Sequence, residues 1–351
     1  MMRFSALCVV ASLCTGLMTQ SALADDFTWA AYGGTLQEAQ RQVYLPEFKK
    51  AYKGPVAEDI HPAGSWAKFD AMAQTGKTDW DLVDVESHDV YRGCQEGIFE
   101  KIDYKKLGFA KSDFIDGAAL DCGVGAYVYS VALVYNTQRV TDQLTSTKEF
   151  WDVKKYPGMR ALQKGPRYNM EFALLSDGVP AQNVYKMLAT HAGVERAFKK
   201  LDAIKSNIVW WNGPSTVPAL VASGSAVMAI APLGRMVAAR NAGQPLGLVF
   251  VPGLIGMDYW AIPKGTAYRD QSYALLKTFE DPQLQAAFTK TFPYSPTSKK
   301  AIALLDPKEA ADLPVGDNAK GSLLMATQEA NSFWMDNGDA LNEQWNNWLA
   351  R

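Results

Sequence analysis

AVMAIAPLGRMVAARNAGQPLGLVFVPGLIGMDYWAIP, residues 226–263, carries two buried-strand patterns, Val227–Ala231 and Leu246–Val251. They flank a turn at Gly234 and a short helix, an arrangement whose strand ends commonly face a ligand crevice. One charge stands at each exit. Arg235 follows the first strand, where a guanidinium on a rigid turn suits bidentate capture of a carboxylate. Asp258 follows the second, ahead of the strand-like Tyr259–Ile262, where a carboxylate suits an ammonium group. The pair points to a small ligand bearing both charges, and the plainer alternative is two solvated loop charges.

Working outward, the chain opens on Met1-Met2-Arg3, a mostly apolar run from Phe4 to Met18, and Ala22-Leu23-Ala24 before Asp25. This is the pattern of a secretory leader cleaved after Ala24. Leu13 before Cys14 argues against a lipid anchor there. Beyond the leader, about 330 residues remain, enough for two domains with separate cores. The formal net charge of the whole chain is −2, and no dense Lys/Arg stripe occurs. That excludes nucleic acid or anionic membrane as the obvious partner. Cys8 and Cys14 leave with the leader. In an oxidising compartment the remaining Cys94 and Cys122 are expected to form one disulfide, closing a loop of roughly 30 residues for about 3 kcal/mol. No histidine adjoins them, so zinc is a poor fit, and no cofactor is implied.

Phe27–Ala31 reads as a first strand, followed by Tyr32-Gly33-Gly34 and a Thr35/Glu38 capping box that opens a helix running toward Gly54. The double glycine lets a ligand approach the backbone, and the free amides at the helix start favour anionic atoms. A strand at Val56–Ile60, a helix from Ser65 and a strand at Trp80–Val85 follow. Glu86 and His88 stand at that strand's carboxyl end, on the crevice side, with His88 open to a helix-cap role or a ligand role. The next helix, from near Ser87 to Gly97, carries Cys94.

Gly123–Tyr135 is too long for one ordinary strand and reads as a crossing from one domain to another. A second set of strands and helices fills residues 136–260, including strands at Met159–Leu162 and Ile208–Trp211. Past Pro263 the chain is largely helical, and Trp334, Trp345 and Trp348 recur at packing intervals. The expected domains are therefore 25–135 with 261–351, and 136–260, joined by strand-like crossings that form a hinge.

Catalytic signatures are missing from the sequence. There is no G-x-S-x-G elbow, H-E-x-x-H helix, Walker loop or Rossmann glycine fingerprint, and His61, His88 and His191 stand in no recognisable constellation. The expectation is a binding protein and not an enzyme.

Several stretches, in this order and spacing, carry a family resemblance: YGGTLQEAQ at 32–40, DWDLVDVESHDV at 79–90, DCGVGAYVYSVALVYNT at 121–137, IVWWNGPSTVPALVASGSAVMAIA at 208–231, MDYWAIPKG at 257–265, YSPTS at 294–298 and SFWMDNGDALNEQWNNWLA at 332–350. Over nearly its whole exported length the chain resembles the periplasmic solute-binding proteins of ABC importers, in the spermidine/putrescine-binding branch. The resemblance implies an α/β, two-domain periplasmic-binding-protein fold of type II that closes on a small solute. It also implies a periplasmic monomer with a membrane permease as partner. Carried over by position, Tyr32, Gly33, Glu86, His88, Asp258 and Tyr294 fall at the family's contact points. Trp211 and Tyr259 are nominated as aromatic walls for an ammonium group, with Trp210 and Trp260 as the alternatives that strand alternation leaves open.

The departures bear on specificity. Where polyamine binders present two acidic residues, this chain has Gly165 and Tyr168 with Arg167 beside them. Where they place aromatics, it has Pro232 and Gly256. Relatives that look like binders of ω-amino acids carry an arginine in a G-R turn, as Gly234-Arg235 here. A solute with one amine and one acid, such as 4-aminobutyrate, is the expectation, and a polyamine is the alternative.

Overall fold

The structure, a computed structural model, describes residues 26–61 and 66–351. The leader and its cleavage site lie outside the described residues. Nine strands form one sheet: β1 Phe27–Ala31, β2 Val56–Ile60, β3 Leu82–Glu86, β4 Val124–Asn136, β5 Arg160–Gln163, β6 Ile208–Trp211, β7 Met228–Pro232, β8 Leu246–Ala261 and β9 Leu323–Leu324. Their spatial order is β2-β1-β3-β8-β4-β7-β5-β6, with β9 on β8. The outer groups β2-β1-β3 and β7-β5-β6 are parallel, and each is covered by helices. Between them, β8 and β4 run antiparallel to each other, β8 antiparallel to its neighbour β3 and β4 antiparallel to its neighbour β7. Every residue of β4 is buried, which explains its near-continuous apolar run.

Two details depart from the sequence reading. Leu246–Val251 does not end at Pro252: β8 continues for 16 residues to Ala261. Its pairing with β4 shifts register between Val131 and Leu133, so the segment around Pro252-Gly253 is absorbed as an irregularity and not spent on a loop. Gly253 N–H donates instead to Ser322 Oγ at 3.0 Å. The Thr35/Glu38 capping box also does not form. The helix Gly34–Ala51 starts two residues earlier, with Gly33 as its N-cap, and Gln37 Oε1 accepts from Gly33 N–H at 3.0 Å. Glu38 pairs with Arg41 and Gln42 on the surface.

The core around β1 and β8 is aromatic. Trp260 stacks on Phe279 with ring centroids 4.1 Å apart, and Trp29 packs edge-on against Trp260. Cys94 and Cys122 form the expected disulfide, tying the helix Ser87–Gln95 to the entry of β4. The C-terminal helix Gln328–Leu349 packs against elements from both parts of the chain. Asn331, at its start, accepts from Ser87 Oγ, but Trp345 and Trp348 pack on Trp210 and Phe198. Trp334 and Trp348 donate to Glu171 and Asp202. The tryptophan spacing was legible as packing, but not the surface that it packs on.

Candidate functional site

Where the ends of β3, β4, β7 and β8 converge, the structure encloses a cavity of about 290 Å³. Its acidic side is built by strand register. Glu86 on β3 lies opposite Asp258 on β8, and Asp258 in turn pairs with Tyr127 on β4. Alternation along β3 places Asp84 on the same face as Glu86 and one step deeper.

Tyr127 bridges the two aspartates, its hydroxyl lying 2.7 Å from Asp84 Oδ2 and 2.9 Å from Asp258 Oδ2. Both are buried, and among the described residues neither Asp84 Oδ1 nor Asp258 Oδ1 has a hydrogen-bond partner. Burial pushes the Asp84 carboxyl up to about 7, against the pull of the Tyr127 and Gln40 hydrogen bonds, and the nearby Glu86 adds to the rise. Burial, then Asp84 and Glu86, hold Asp258 well above the usual carboxylate range. Carboxyls brought together in a dry site resist ionising together unless a cation joins them.

Glu86 is already neutralised. Arg167 Nη1 lies 2.8 Å from its Oε2, and Tyr168 donates to its Oε1 at 3.2 Å. Tyr168 opens the helix Asn169–Ser176 at φ 69°, a left-handed conformation uncommon outside glycine that aims its ring into the cavity. His88 lies outside this cavity. Its ring contacts Arg167 and lines a second, polar cavity with Arg92, Trp334 and Asp339. Burial, reinforced by Arg167 and Arg92, keeps it neutral.

Opposite the acids stands Arg235, buried in the first turn of the helix Leu233–Asn241. Nη2 donates to Gly33 O at 3.1 Å and Nη1 to Thr35 Oγ1 at 3.3 Å; among the described residues it has no carboxylate partner. Gly34 beside it sits at φ 62°, a conformation L side chains rarely adopt, and a Cβ there would also lie 2.9 Å from Nη1. Gly234 is equally constrained, with the Tyr294 ring 2.4 Å from where its Cβ would be.

Tyr32, Tyr129, Tyr168, Trp211 and Tyr294 wall the cavity. Tyr294 stacks on Tyr127 at 4.8 Å. Gly256 lacks a side chain where the Tyr129 ring lies, so the aromatic expected there is supplied by the neighbouring strand. Of the residues nominated from sequence, Tyr32, Glu86, Trp211, Arg235, Asp258 and Tyr294 line this cavity, and Gly33 adjoins it through Arg235. Tyr259 does not. It points to the opposite face from Asp258 and donates to Gly117 O at 2.9 Å, while its alternative Trp260 is in the core and Trp210 packs on the C-terminal helix. Tyr127, Tyr129, Asp84 and the paired role of Arg167 were missed. The i, i+2 tyrosines in GAYVYS were the available signal for the first two.

A parallel-sheet pair joined by long crossing strands, with a cavity at their ends that offers unpaired charges of both signs, defines a solute-capturing receptor. The chain belongs to the bacterial extracellular solute-binding proteins, the family matched over residues 44–315. It is 38% identical over 331 residues, 94% of this chain and 92% of the relative, to the gamma-aminobutyric acid-binding protein of Pseudomonas aeruginosa. Among solved structures it is similar to the Atu4243-GABA receptor, with 29% identity, a TM-score of 0.80 and coverage of 93% of this chain and 98% of that one. It is also similar to MotA from A. tumefaciens B6 in complex with glucopine, with 27% identity, a TM-score of 0.83 and coverage of 92% and 99%. The two-domain α/β fold follows, and the family is extracellular.

Proposed function

We propose that this protein captures a small ω-amino acid of the 4-aminobutyrate type and delivers it unchanged to the membrane permease of an ABC importer. The observation that carries the reading is the pair of buried groups of opposite kind facing one cavity: Arg235, with no carboxylate partner among the described residues, and Asp258, with a free Oδ1. The ammonium group docks on Asp258 among the tyrosines, where cation–π attraction adds to the ion pair. The acid group docks on Arg235. Glu86 does not offer a second cation site because Arg167 occupies it. The names of the Pseudomonas relative and of the Atu4243 receptor support the same ligand class.

Closure brings two lobes together, residues 26–135 with 261–327, and residues 136–260 with the C-terminal helix, hinged at β4 and β8. The exported protein acts as a monomer, without turnover. Isothermal titration against 4-aminobutyrate, putrescine, spermidine and glycine betaine tests this. The expected order places 4-aminobutyrate first, and ligand recovered chemically unchanged. Tighter binding of putrescine or spermidine overturns the ligand class, and consumption of the ligand overturns the receptor reading.

A further inference from the structure

We propose that Asp84 is the second carboxylate of the ammonium subsite, and that in the ligand-free protein Asp84 and Asp258 share one proton which the arriving ammonium expels to solvent. This deepens the function proposed above and rests on it.

The geometry is specific. A tyrosine hydroxyl has one hydrogen to donate. Tyr127 lies within hydrogen-bond distance of both carboxylates, so it satisfies one and faces the other with a lone pair. That second contact is favourable only if the carboxyl it meets brings its own proton. One further carboxylate oxygen on each aspartate, Oδ1, is buried with no partner. Two ionised groups in this position would leave two charges desolvated at close range.

The other groups facing the pair do not supply a cation. Gln40 Nε2 reaches Asp84 Oδ2 at 3.4 Å from the first helix, and the His61 ring meets the backbone carbonyl of Asp84 at 2.7 Å. Tyr32 and Tyr294 are buried phenols held neutral by burial. Glu86 is acidic and paired with Arg167, and Arg235 is turned toward Gly33 and Thr35. Burial, with repulsion among Asp84, Glu86 and Asp258, accordingly makes both aspartates weaker acids, so that a proton is retained. When an ammonium enters, its three N–H donors and its charge replace the proton. The pair passes from one negative charge to two, the ligand contributes one positive charge, and one proton leaves.

The test is calorimetry of the wild-type protein with 4-aminobutyrate near pH 6 in buffers of different ionisation enthalpy. The apparent enthalpy should vary linearly with the buffer's value, with a slope of about one proton released per ligand, and affinity should rise up to about tenfold per pH unit from about pH 5 to about pH 7. The ligand's own groups do not titrate in that window. Asp84→Asn, which keeps the side-chain shape, should reduce the slope to near zero and flatten the pH profile. Measurable binding with a buffer-independent enthalpy in wild type overturns the shared proton while leaving the ligand class intact. An unchanged slope in Asp84→Asn overturns the role of Asp84. Absence of binding by any amine overturns both this inference and the function beneath it.

Discussion

The guanidinium of Arg235 meets the carbonyl of Gly33 at 3.1 Å, across 202 residues of sequence and across the cleft. One side chain therefore faces the cavity and joins its two walls. Arg235→Ala should weaken 4-aminobutyrate by roughly 30-fold to several thousand-fold, the 2–5 kcal/mol typical of leaving a buried partner unpaired. A simple alkylamine should lose little. Titration of both ligands against the variant separates these effects, and equal losses would mean that Arg235 serves closure alone.

Asp258→Asn should weaken every amine ligand by a similar factor, because Asp258 lines the cavity and, unlike Glu86, is not paired with a basic residue among the described residues. Competition calorimetry with 4-aminobutyrate and putrescine checks this. Retained affinity for both would remove Asp258 from the ammonium subsite.

Arg167→Met should change selectivity. Glu86 loses its 2.8 Å partner and becomes available to a second ammonium group, so putrescine should gain at least about tenfold relative to 4-aminobutyrate, roughly 1.4 kcal/mol. An unchanged ratio of the two affinities contradicts the neutralising role given to Arg167.

Reduction of the Cys94–Cys122 bridge should lower Tm with little change in ligand preference. The loop it closes spans 28 residues and supports the helix Ser87–Gln95, not the cavity wall. The chain-entropy contribution is about 3 kcal/mol. Thermal melts of the wild type with and without reductant, alongside a Cys94→Ala/Cys122→Ala variant, test it.

The ligand-free protein should become less stable as pH rises through about 7. Asp84 and Asp89 are both pushed up to about 7, chiefly by burial, whereas their unfolded values lie near about 4. Between those values the native state binds more protons than the unfolded state, so stability falls with rising pH. The difference in Tm between wild type and Asp84→Asn, followed from about pH 5 to about pH 8, isolates the Asp84 share. A difference that is constant across that range would mean that Asp84 ionises normally.

The sheet, the disulfide and the charged exit at Arg235 were legible because each has a local signature: alternation, cysteine count, or a charge at a strand end; Asp258 was legible as a charge but lies inside β8 and not at a strand exit. The single β8 was not, because Pro252 and Gly253 read as a break and only pairing with β4 carries the strand past them. Tyr259 was misassigned to the wall because alternation specifies two faces without saying which one meets the cavity; the hydrogen bond to Gly117 decides it. Arg167 read only as a neighbour of Gly165 and Tyr168; its pairing with Glu86 joins residues 81 positions apart. The packing surface of the C-terminal helix was not legible for a similar reason. Its apolar face was visible, but its complement at Phe198 and Trp210 lies more than a hundred residues away.

Strands β4 and β8 carry Tyr127 and Asp258 on the same antiparallel pair that connects the lobes, while Arg235 sits on a helix of the far lobe. On a hinged molecule this arrangement orders events in time. With the closure proposed above, an incoming solute would meet the acidic floor already assembled and the guanidinium only once the far wall had swung in. Amines with and without an acid group should then arrive at similar rates and differ in how long they stay, so that discrimination is exercised at departure.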